Sequence, residues 1–488
     1  MNEIEIVDTS MRDANASQWG EKMNTAMMMK IAPVMNRAGF KAMDCTSISH
    51  FEYAVRYLRE NPWDRMRMLK KLLPDTLLSY MMLGNTLHLF KLTPGPAMGL
   101  WMENLAKVGL GRVTLMECSN DMENMAPGVR YAQNAGLKVI AAVIYSHSPY
   151  HTDEYFAQKT RDAAKMKPDA IYLKDPGGLL TPERICTLVP IMQKNLGGYP
   201  LEIHSHCTTG LAPLCYLEAM KLGVKTFHCA VGPLGNGPSQ PATENFLRNA
   251  RLLGYTSSVN EELLEAIANH FREVARNEGF PVGAPVEYEL FQYEHQVPGG
   301  VISNLRRQLA DIKFEHRLKE VLEDCVLVRK ELGYPIMVTP FSQFVVTQAS
   351  LNVIQGERYK TLTDEFMMCA LGHYGKPPAP VDPKVLDRIM SLPRGKELVH
   401  WTRPQISFED LRREIGPGYS EEELLLLILV NEKDLKTMKE AGPIPTEYST
   451  TGRSLLNLIK ELSKRKNSNY IKIQKNNFSL TLKKNAEA

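Results

Sequence analysis

The sequence predicts a (β/α)8 barrel followed by a mostly helical region and a small C-terminal element. Short apolar runs recur with helical stretches between them, and eight such units in roughly 250 residues are typical of this barrel. The runs are rich in Val, Ile and Leu, as strands buried on both faces should be. They are Glu3–Asp8, Phe40–Cys45, Thr76–Met82, Arg112–Cys118, Lys138–Tyr145, Asp169–Asp175, Pro200–His206 and Thr226–Val231.

The seventh run carries the most informative motif, the two histidines His204 and His206 separated by one serine. Alternate residues of a strand face the same side, so both imidazoles can reach one metal ion. Two threonines and Gly210 then turn the chain toward a helix. A single H-x-H pair is weak evidence for metal binding, because isolated histidines often only satisfy a turn. Cys207 points to the other face of the strand, which indicates packing.

Two other strand ends strengthen the metal hypothesis. The first run continues into Asp13, and the sixth run ends in the pair Lys174 and Asp175. Barrels of this class place their chemistry where the strands end, at the C-terminal face. Helix capping is the alternative role for such residues. Four potential ligands at one rim favour a shared site.

The segments after the barrel have a different pattern. We expect a barrel over residues 1–258 and a helical region over 259–441, with apolar periodicity in Glu261–Asn277 and Leu318–Leu332. Gly442-Pro-Ile-Pro445 predicts a linker over 442–452. In the tail, 453–488, a short helix should precede a hairpin within Tyr470–Leu482. The tail carries nine Lys or Arg against two Glu, a local charge of +7.

The composition is that of a large enzyme with several domains. The net charge of +3 argues neither for nor against nucleic acid, and we expect no nucleic-acid partner. No signal peptide is apparent, and no apolar run approaches the length that spans a bilayer. Eight cysteines are scattered without C-x-x-C spacing, which predicts reduced thiols in a cytoplasmic protein.

Several spaced motifs then occur in a characteristic order: Asp8–Ala14, Leu173–Leu180, His204–Gly210, Ser239–Pro241, His295–Leu305, Gly356–Lys360 and Tyr374–Pro383. Together they resemble the carboxyltransferase subunits of biotin-dependent enzymes. This family includes the central part of pyruvate carboxylase, the B subunit of two-subunit pyruvate carboxylases, the oxaloacetate decarboxylase alpha subunit and the pyruvate-side transcarboxylase subunit. The similarity covers roughly residues 1–440. It implies that the helical region forms a funnel beside the barrel mouth.

The resemblance assigns roles to the rim residues. Asp13, His204 and His206 would bind a divalent cation, since their donors suit Zn, Mn or Co. Lys174 would join them as a carbamate; its alternative role is a salt bridge with a rim acid such as Asp175. Arg12 is a second cation at the mouth.

In the family, a hydroxyl on a loop that returns to the active site shuttles a proton between biotin and the enolate. The matching position is Ser303, where the family has threonine. Hydroxyl chemistry is therefore preserved. The alternative is an ordinary loop serine.

Other positions depart from the pyruvate enzymes of the family. Leu83 stands where they have an arginine, and Ala16 stands where they have a glutamine. In the family both side chains belong to the pyruvate pocket. Glu52 and Glu117 replace the usual aspartates, and Phe90 replaces a tyrosine. The sequence therefore predicts that the catalytic residues of the family are retained and that the substrate pocket is altered.

The sequence also resembles a biotin attachment site at Glu218–Leu222. An attachment lysine must sit on an exposed hairpin, whereas Lys221 is predicted to end a helix. We therefore expect the biotin to arrive on a separate carrier protein. The tail 453–488 resembles the leader that precedes a biotinyl domain in biotin carboxyl carrier proteins. Further expected partners are a biotin carboxylase subunit or membrane decarboxylase subunits, together with copies of the chain in a homo-oligomer.

Three functional hypotheses follow. The favoured one is a carboxyltransferase subunit of a multi-subunit biotin-dependent carboxylase or decarboxylase, acting on an enolisable carbonyl substrate other than pyruvate. The second is a metal-dependent lyase or Claisen-condensing enzyme like hydroxymethylglutaryl-CoA lyase, which shares the first-strand motif and the H-x-H pair but lacks the Lys174–Leu180 run. The third is a non-catalytic assembly subunit, against which the intact ligand set argues.

Overall fold

Eight parallel strands close into a barrel, as the sequence predicts. The computed structural model describes residues 2–88, 93, 95–403, 407–416, 418–448, 459, 462, 470–475 and 478–483. The barrel strands are β1 Glu3–Asp8, β2 Ala42–Ser47, β3 Leu78–Leu83, β4 Arg112–Met116, β5 Lys138–Ile144, β6 Ala170–Asp175, β7 Leu201–Ser205 and β8 Thr226–Cys229. They pair in sequence order, and β1 closes the ring by pairing with β8 on one side and β2 on the other.

Helices alternate with the strands and cover the barrel. They are α1 Asn15–Trp19, α2 Thr25–Met29, α3 Ala32–Asn36, α4 Ile48–Tyr53, α5 Pro62–Leu72, α6 Gly95–Lys107, α7 Met122–Asn134, α8 Asp153–Lys165, α9 Pro182–Asn195, α10 Ala212–Lys221 and α11 Thr243–Leu252. A two-residue strand, β9 Thr256–Ser257, then pairs with the start of β1. Lys221 is the last residue of α10, so the prediction that it ends a helix is confirmed.

The alternation of side chains along each strand separates two cores. On β3, for example, Tyr80 and Met82 belong to the core between strands and helices. Met81 and Leu83 point into the barrel and belong to a separate cluster. That inner cluster also contains Phe341 and Phe344 from the C-terminal region, so this region reaches into the barrel mouth.

The C-terminal region is helical. Its helices are α12 Glu261–Glu278, α13 Phe291–His295, α14 Gly299–Asp311, α15 Leu318–Glu331, α16 Phe341–Gln355, α17 Asp364–Ala370, α18 Pro383–Met390, α19 Pro393–Val399, α20 Phe408–Ile415, α21 Glu421–Leu429 and α22 Glu432–Glu440. Buried residues of α12, α21 and α22 join the outer core of the barrel, whereas α14 to α19 build a core of their own. The division at residue 258 stays a prediction.

The predicted tail hairpin is confirmed by strands β10 Tyr470–Lys475 and β11 Phe478–Lys483, which pair antiparallel. The predicted tail helix lies largely outside the described residues. Within the described part of the chain, no helix has the length and apolar composition needed to cross a membrane.

A backbone contact between two glycines fixes the end of β3. Gly84 follows Leu83 and donates its N–H to the Met116 carbonyl at 2.8 Å. Gly128 of α7 packs directly on Gly84, so a Cβ added at Gly128 would overlap the Gly84 carbonyl oxygen. The contact holds α7 against the strand end that carries Leu83.

We predict that Gly128→Ala destabilises the protein, although alanine normally favours a helix by up to about 1 kcal/mol. Overpacking against rigid backbone should cost roughly 1–3 kcal/mol, measured by denaturant unfolding. Gly300→Ala in α14 is the matched control, because among the described residues no atom lies within 4 Å of the added Cβ. Equal stability of Gly128→Ala and the native protein would contradict the prediction.

Candidate active site

Four side chains predicted from the sequence meet at the C-terminal rim of the barrel. Asp13 lies in a π-helical turn, Ser10–Ala14, directly after β1. Its carboxylate is 3.5 Å from His204 Nε2, 3.3 Å from His206 Nε2 and 3.6 Å from Lys174 Nζ. Lys174 of β6 is in register with His204 of β7, which explains their proximity. The ligand atoms of Asp13, His204 and His206 all lie within 4.8 Å of one another.

The tautomer of His206 suits metal binding. Its Nδ1 lies 2.6 Å from the carbonyl oxygen of Pro238, so Nδ1 carries the proton and donates it. Nε2 then presents a lone pair toward the centre of the site. Ligating histidines commonly have this arrangement, with the outer nitrogen bonded to a backbone carbonyl. Cys207, the next residue, is buried and does not belong to the cluster.

Gln240 occupies the centre of the cluster, a position that was not predicted from the sequence. Its Nε2 lies 3.2 Å from Asp13 Oδ1, 3.3 Å from His204 Nε2 and 3.1 Å from His206 Nε2. Its Oε1 accepts a hydrogen bond from Thr9 at 2.7 Å, which orients the amide. The only sequence signal for Gln240 is its place in the Ser239–Pro241 motif.

The donor set fits a divalent cation. One amide NH2 has two hydrogens, so it cannot satisfy a carboxylate and two imidazole lone pairs at the same time. A cation among these acceptors would satisfy all three, and their oxygen and nitrogen donors suit Zn, Mn or Co. Asp13, His204 and His206 would hold it, with Lys174 beside them.

Burial and charge keep the cluster in the protonation states that ligation needs. Burial would raise the pKa of Asp13, but the charges of Arg12 and Lys174 outweigh it and hold this pKa well below its usual range. Burial lowers the pKa of both His204 and His206, which keeps the imidazoles neutral. Burial also lowers the pKa of Lys174.

Arg12 is tied to two carboxylates at the same rim. Its guanidinium contacts Asp13 at 2.7 Å, and its Nε donates to Asp44 of β2 at 2.7 Å. A further nitrogen of the guanidinium also contacts Asp44. All three side chains are buried. The positive charge of Arg12 is therefore largely neutralised by its own neighbours.

The rim opens into a cavity of about 430 Å³. Arg12, Asp13, Lys174 and His206 line it together with two of the positions that depart from the family. Those positions are Ala16 and Leu83. The C-terminal region contributes the wall residues Pro298, Gly299, Gly300, Val301, Asn304, Val338, Thr339 and Gln343. The cavity thus joins the candidate ligand cluster to the pocket that the sequence predicts to be altered.

Two further residues of the predicted pocket, Glu52 and Glu117, have other contacts in the structure. Among the described residues that line the cavity, Glu52 and Glu117 do not occur. Glu52 forms an ion pair with Arg56 at 2.5 Å. The Glu117 carboxylate accepts hydrogen bonds from the backbone N–H groups of Ser119 and Asp121, and burial raises its pKa to about 8. Phe90 lies outside the described residues.

The segment that carries Ser303 differs from the expected loop. Residues 299–311 form the helix α14, and its first turn lines the cavity. Pro298 is the residue before the helix and has the extended backbone that is typical of that position. Ser303 lies in the second turn of that helix, and its side chain is outside what the structure describes.

The fold and the cluster define a class of protein: barrel enzymes that carry a candidate cation site on strand ends. Comparison with known proteins narrows this class. Residues 112–270 match the HMGL-like family model, and residues 293–483 match the model of the conserved carboxylase domain.

Relatives extend over nearly the whole chain. The pyruvate carboxylase B subunit of Methanocaldococcus jannaschii is 34% identical over 456 residues, which is 91% of this chain and 80% of the relative. The methylmalonyl-CoA carboxyltransferase 5S subunit of Propionibacterium freudenreichii is 30% identical, and the match covers 79% of this chain and 76% of that relative. The 2-oxoglutarate carboxylase large subunit of Hydrogenobacter thermophilus is 26% identical, and the match covers 91% of this chain and 70% of that relative.

A solved structure has the same fold. The carboxyl transferase domain of Rhizobium etli pyruvate carboxylase with pyruvate superposes with a TM-score of 0.83 at 20% identity. The match covers 92% of this chain and 79% of that domain. The chain belongs to the family of biotin-dependent carboxyltransferases that includes the pyruvate carboxylase B subunit, and the family prediction is confirmed. The carboxylase domain over residues 293–483 separates it from the lyase alternative.

We predict that the purified protein contains about one divalent metal ion per chain, because one shared ligand set holds one ion. His204→Ala should lose most of this metal, measured by elemental analysis. Cys207→Ala is the matched control, since it changes a buried neighbour that lies outside the ligand cluster. Undiminished metal content in His204→Ala would rule the assignment out.

Proposed function

We propose that this chain is the carboxyltransferase subunit of a multi-subunit biotin-dependent complex, and that its acceptor is an enolisable carbonyl compound other than pyruvate. The observation that carries the proposal is the cavity itself. One wall keeps Asp13, Lys174 and His206, while Ala16 and Leu83 replace the polar groups that the family uses for pyruvate.

The rim residues have the chemistry that carboxyl transfer needs. A cation bound by Asp13, His204 and His206 would add a positive field where an enolate forms. The family resemblance implies a carbamate on Lys174. Its lowered pKa supports this, because CO2 adds to the neutral amine. The resemblance also implies proton transfer by the hydroxyl of Ser303.

Pyruvate fits the altered wall poorly. A carboxylate in a partly dry pocket is normally bound by a bidentate arginine. Leu83 offers no charge, and Arg12 is already bonded to Asp13 and Asp44. A carboxylate buried without a partner would cost roughly several kcal/mol. The family itself spans more than one acceptor, since one relative is named 2-oxoglutarate carboxylase.

Biotin should reach the site on another polypeptide. The lysine of the attachment-like sequence, Lys221, ends α10 and pairs with Glu218 at 2.7 Å. The partners that we propose are a biotin carboxyl carrier protein and either a biotin carboxylase or membrane decarboxylase subunits, with the chain itself assembled as a homo-oligomer. The basic tail, residues 453–488, is the proposed docking segment for the carrier or the carboxylase.

We predict that pyruvate and oxaloacetate are poor substrates, with carboxyl transfer to pyruvate below roughly 1 per second. The double variant Leu83→Arg/Ala16→Gln should raise kcat/KM for pyruvate by about 10- to 100-fold, because a hydrogen bond to a charged group is worth about that factor. Leu83→Met is the control for packing and should give no gain. Native turnover of pyruvate above roughly 1 per second would restore the ordinary pyruvate assignment.

A second prediction concerns assembly. A streptavidin blot of the purified chain should be blank, and deletion of residues 453–488 should weaken binding of the carrier or carboxylase. Binding by the native chain should also weaken with salt, since the tail has a charge of +7. Size-exclusion chromatography of the mixed subunits measures both effects. Unchanged assembly by the deletion variant would refute docking through the tail.

A further inference from the structure

One stretch of the cavity wall is polar and comes from two neighbouring barrel loops. Glu21 follows α1, Ser47 ends β2, and Ser49 lies in the first turn of α4; all three line the cavity. Ser49 Oγ donates to Glu21 Oε1 at 2.5 Å. Ser47 Oγ lies 3.0 Å from Ser49 Oγ and 2.8 Å from Nδ1 of the buried His50. The four side chains form one connected hydrogen-bond chain.

The end of this chain at Glu21 has a defined direction. The single hydroxyl hydrogen of Ser49 goes to Glu21, so the carboxylate is the acceptor at this end. Nδ1 of His50 lies 2.8 Å from Ser47 Oγ and 3.4 Å from Glu21 Oε1, and the tautomer of the ring sets which of the Ser47 and His50 atoms donates. Burial lowers the pKa of His50 to about 3, so the imidazole is neutral and carries one proton.

Glu21 has unused acceptor capacity. Ser49 engages only Oε1, and no described residue donates a hydrogen bond to Oε2. Burial raises the pKa of Glu21 to about 7, and the charges of Arg12 and Arg65 oppose this rise. Above neutral pH the cavity wall therefore carries a carboxylate that can accept a further hydrogen bond. The Glu21 side chain is 15% exposed, so a donor of the ligand would replace water at this oxygen.

Much of the remaining cavity lining is apolar. Ile48, Met81, Met82, Leu83, Met116 and Val338 line the same cavity. The volume of about 430 Å³ falls in the range of pockets that hold ligands much larger than a three-carbon acid. The cavity thus offers space for an apolar body and one acidic group to orient it. This pattern disfavours a second carboxylate on the acceptor.

We infer that Glu21 is a specificity-determining residue that selects acceptors bearing a hydrogen-bond donor, such as an amide, hydroxyl or ammonium group, at the end remote from the enolising carbon. This inference rests on the proposed function. Biotin also has N–H donors, but Glu21 lies in the segment after β1 that also carries Arg12, Asp13 and Ala16. These residues form the acceptor side of the cavity.

The test uses three methyl ketones of equal length that end in a primary amide, a methyl group or a carboxylate. Carboxyl transfer from the carboxylated carrier is measured with the full-length, metal-loaded protein at pH 8, where Glu21 is ionised. The native protein should prefer the amide-ended ketone by about 10- to 100-fold in kcat/KM, the factor expected for a hydrogen bond to a charged group. Glu21→Gln should lose this preference through a higher KM for that ketone.

Two controls separate specificity from folding and from biotin binding. Glu123→Gln, an exposed acid on α7, should keep the native preference. The KM for the carrier should be the same in Glu21→Gln and the native protein. Glu21→Asp keeps the charge and should retain part of the preference, so a loss of folding in Glu21→Gln would not end the test.

Several results would overturn the inference. Equal use of all three ketones by the native protein, or an unchanged preference in both Glu21 variants, would show that Glu21 does not select the acceptor. If Glu21→Gln raises the KM for the carrier with every ketone, Glu21 contributes to binding biotin and not to selecting the acceptor. If the protein transfers a carboxyl group to none of the ketones and to no oxo-acid, the proposed function fails together with the inference.

Discussion

Closure of the parallel barrel is the constraint on which the active site depends. β1 must pair with β8 and β2 at the same time, so Val7 and Asp8 meet Ala42 and Met43 on one side. This ring brings strands from distant parts of the chain to one rim. The carboxylate of Asp13 can therefore contact His204 and Lys174, which lie more than 150 residues away in sequence. Opening the ring would separate the whole cluster.

The site has more hydrogen-bond acceptors than donors at its centre, and this imbalance makes it a candidate for a cation. Gln240 places one amide NH2 beside Asp13 and two imidazole nitrogens, and Asp13 is also paired with Arg12. The hydrogen bond from His206 Nδ1 to the Pro238 carbonyl fixes the orientation of that imidazole. Orientation by neighbours of this kind reduces the reorganisation that metal binding would require.

The C-terminal region shapes what the rim can act on. Phe341 and Phe344 pack against inward-facing strand residues such as Leu83, and the first turn of α14 lines the cavity. The acceptor therefore binds in a chamber whose two sides come from regions far apart in sequence. The barrel side carries the rim residues and Glu21, and the other side comes from the C-terminal region with residues such as Val301 and Val338. The reaction type and the substrate are in this sense set by different residues of the same cavity.

The barrel could be predicted without a structure, because alternating apolar strands and amphipathic helices have a local periodicity that can be read directly. The candidate ligands Asp13, Lys174, His204 and His206 could be predicted too, since each lies at or just past the end of a predicted strand. The set of polar residues that share the cavity became visible only in the folded chain. Glu21 and Ser49 reach it, and Gln240 reaches the ligand cluster, on segments whose paths depend on long-range packing, and no local period marks them. The hydrogen bonds that the Glu117 carboxylate accepts from the following turn could not be predicted for the same reason. The position of a side chain relative to a cavity wall from a distant part of the sequence is set only when the chain folds.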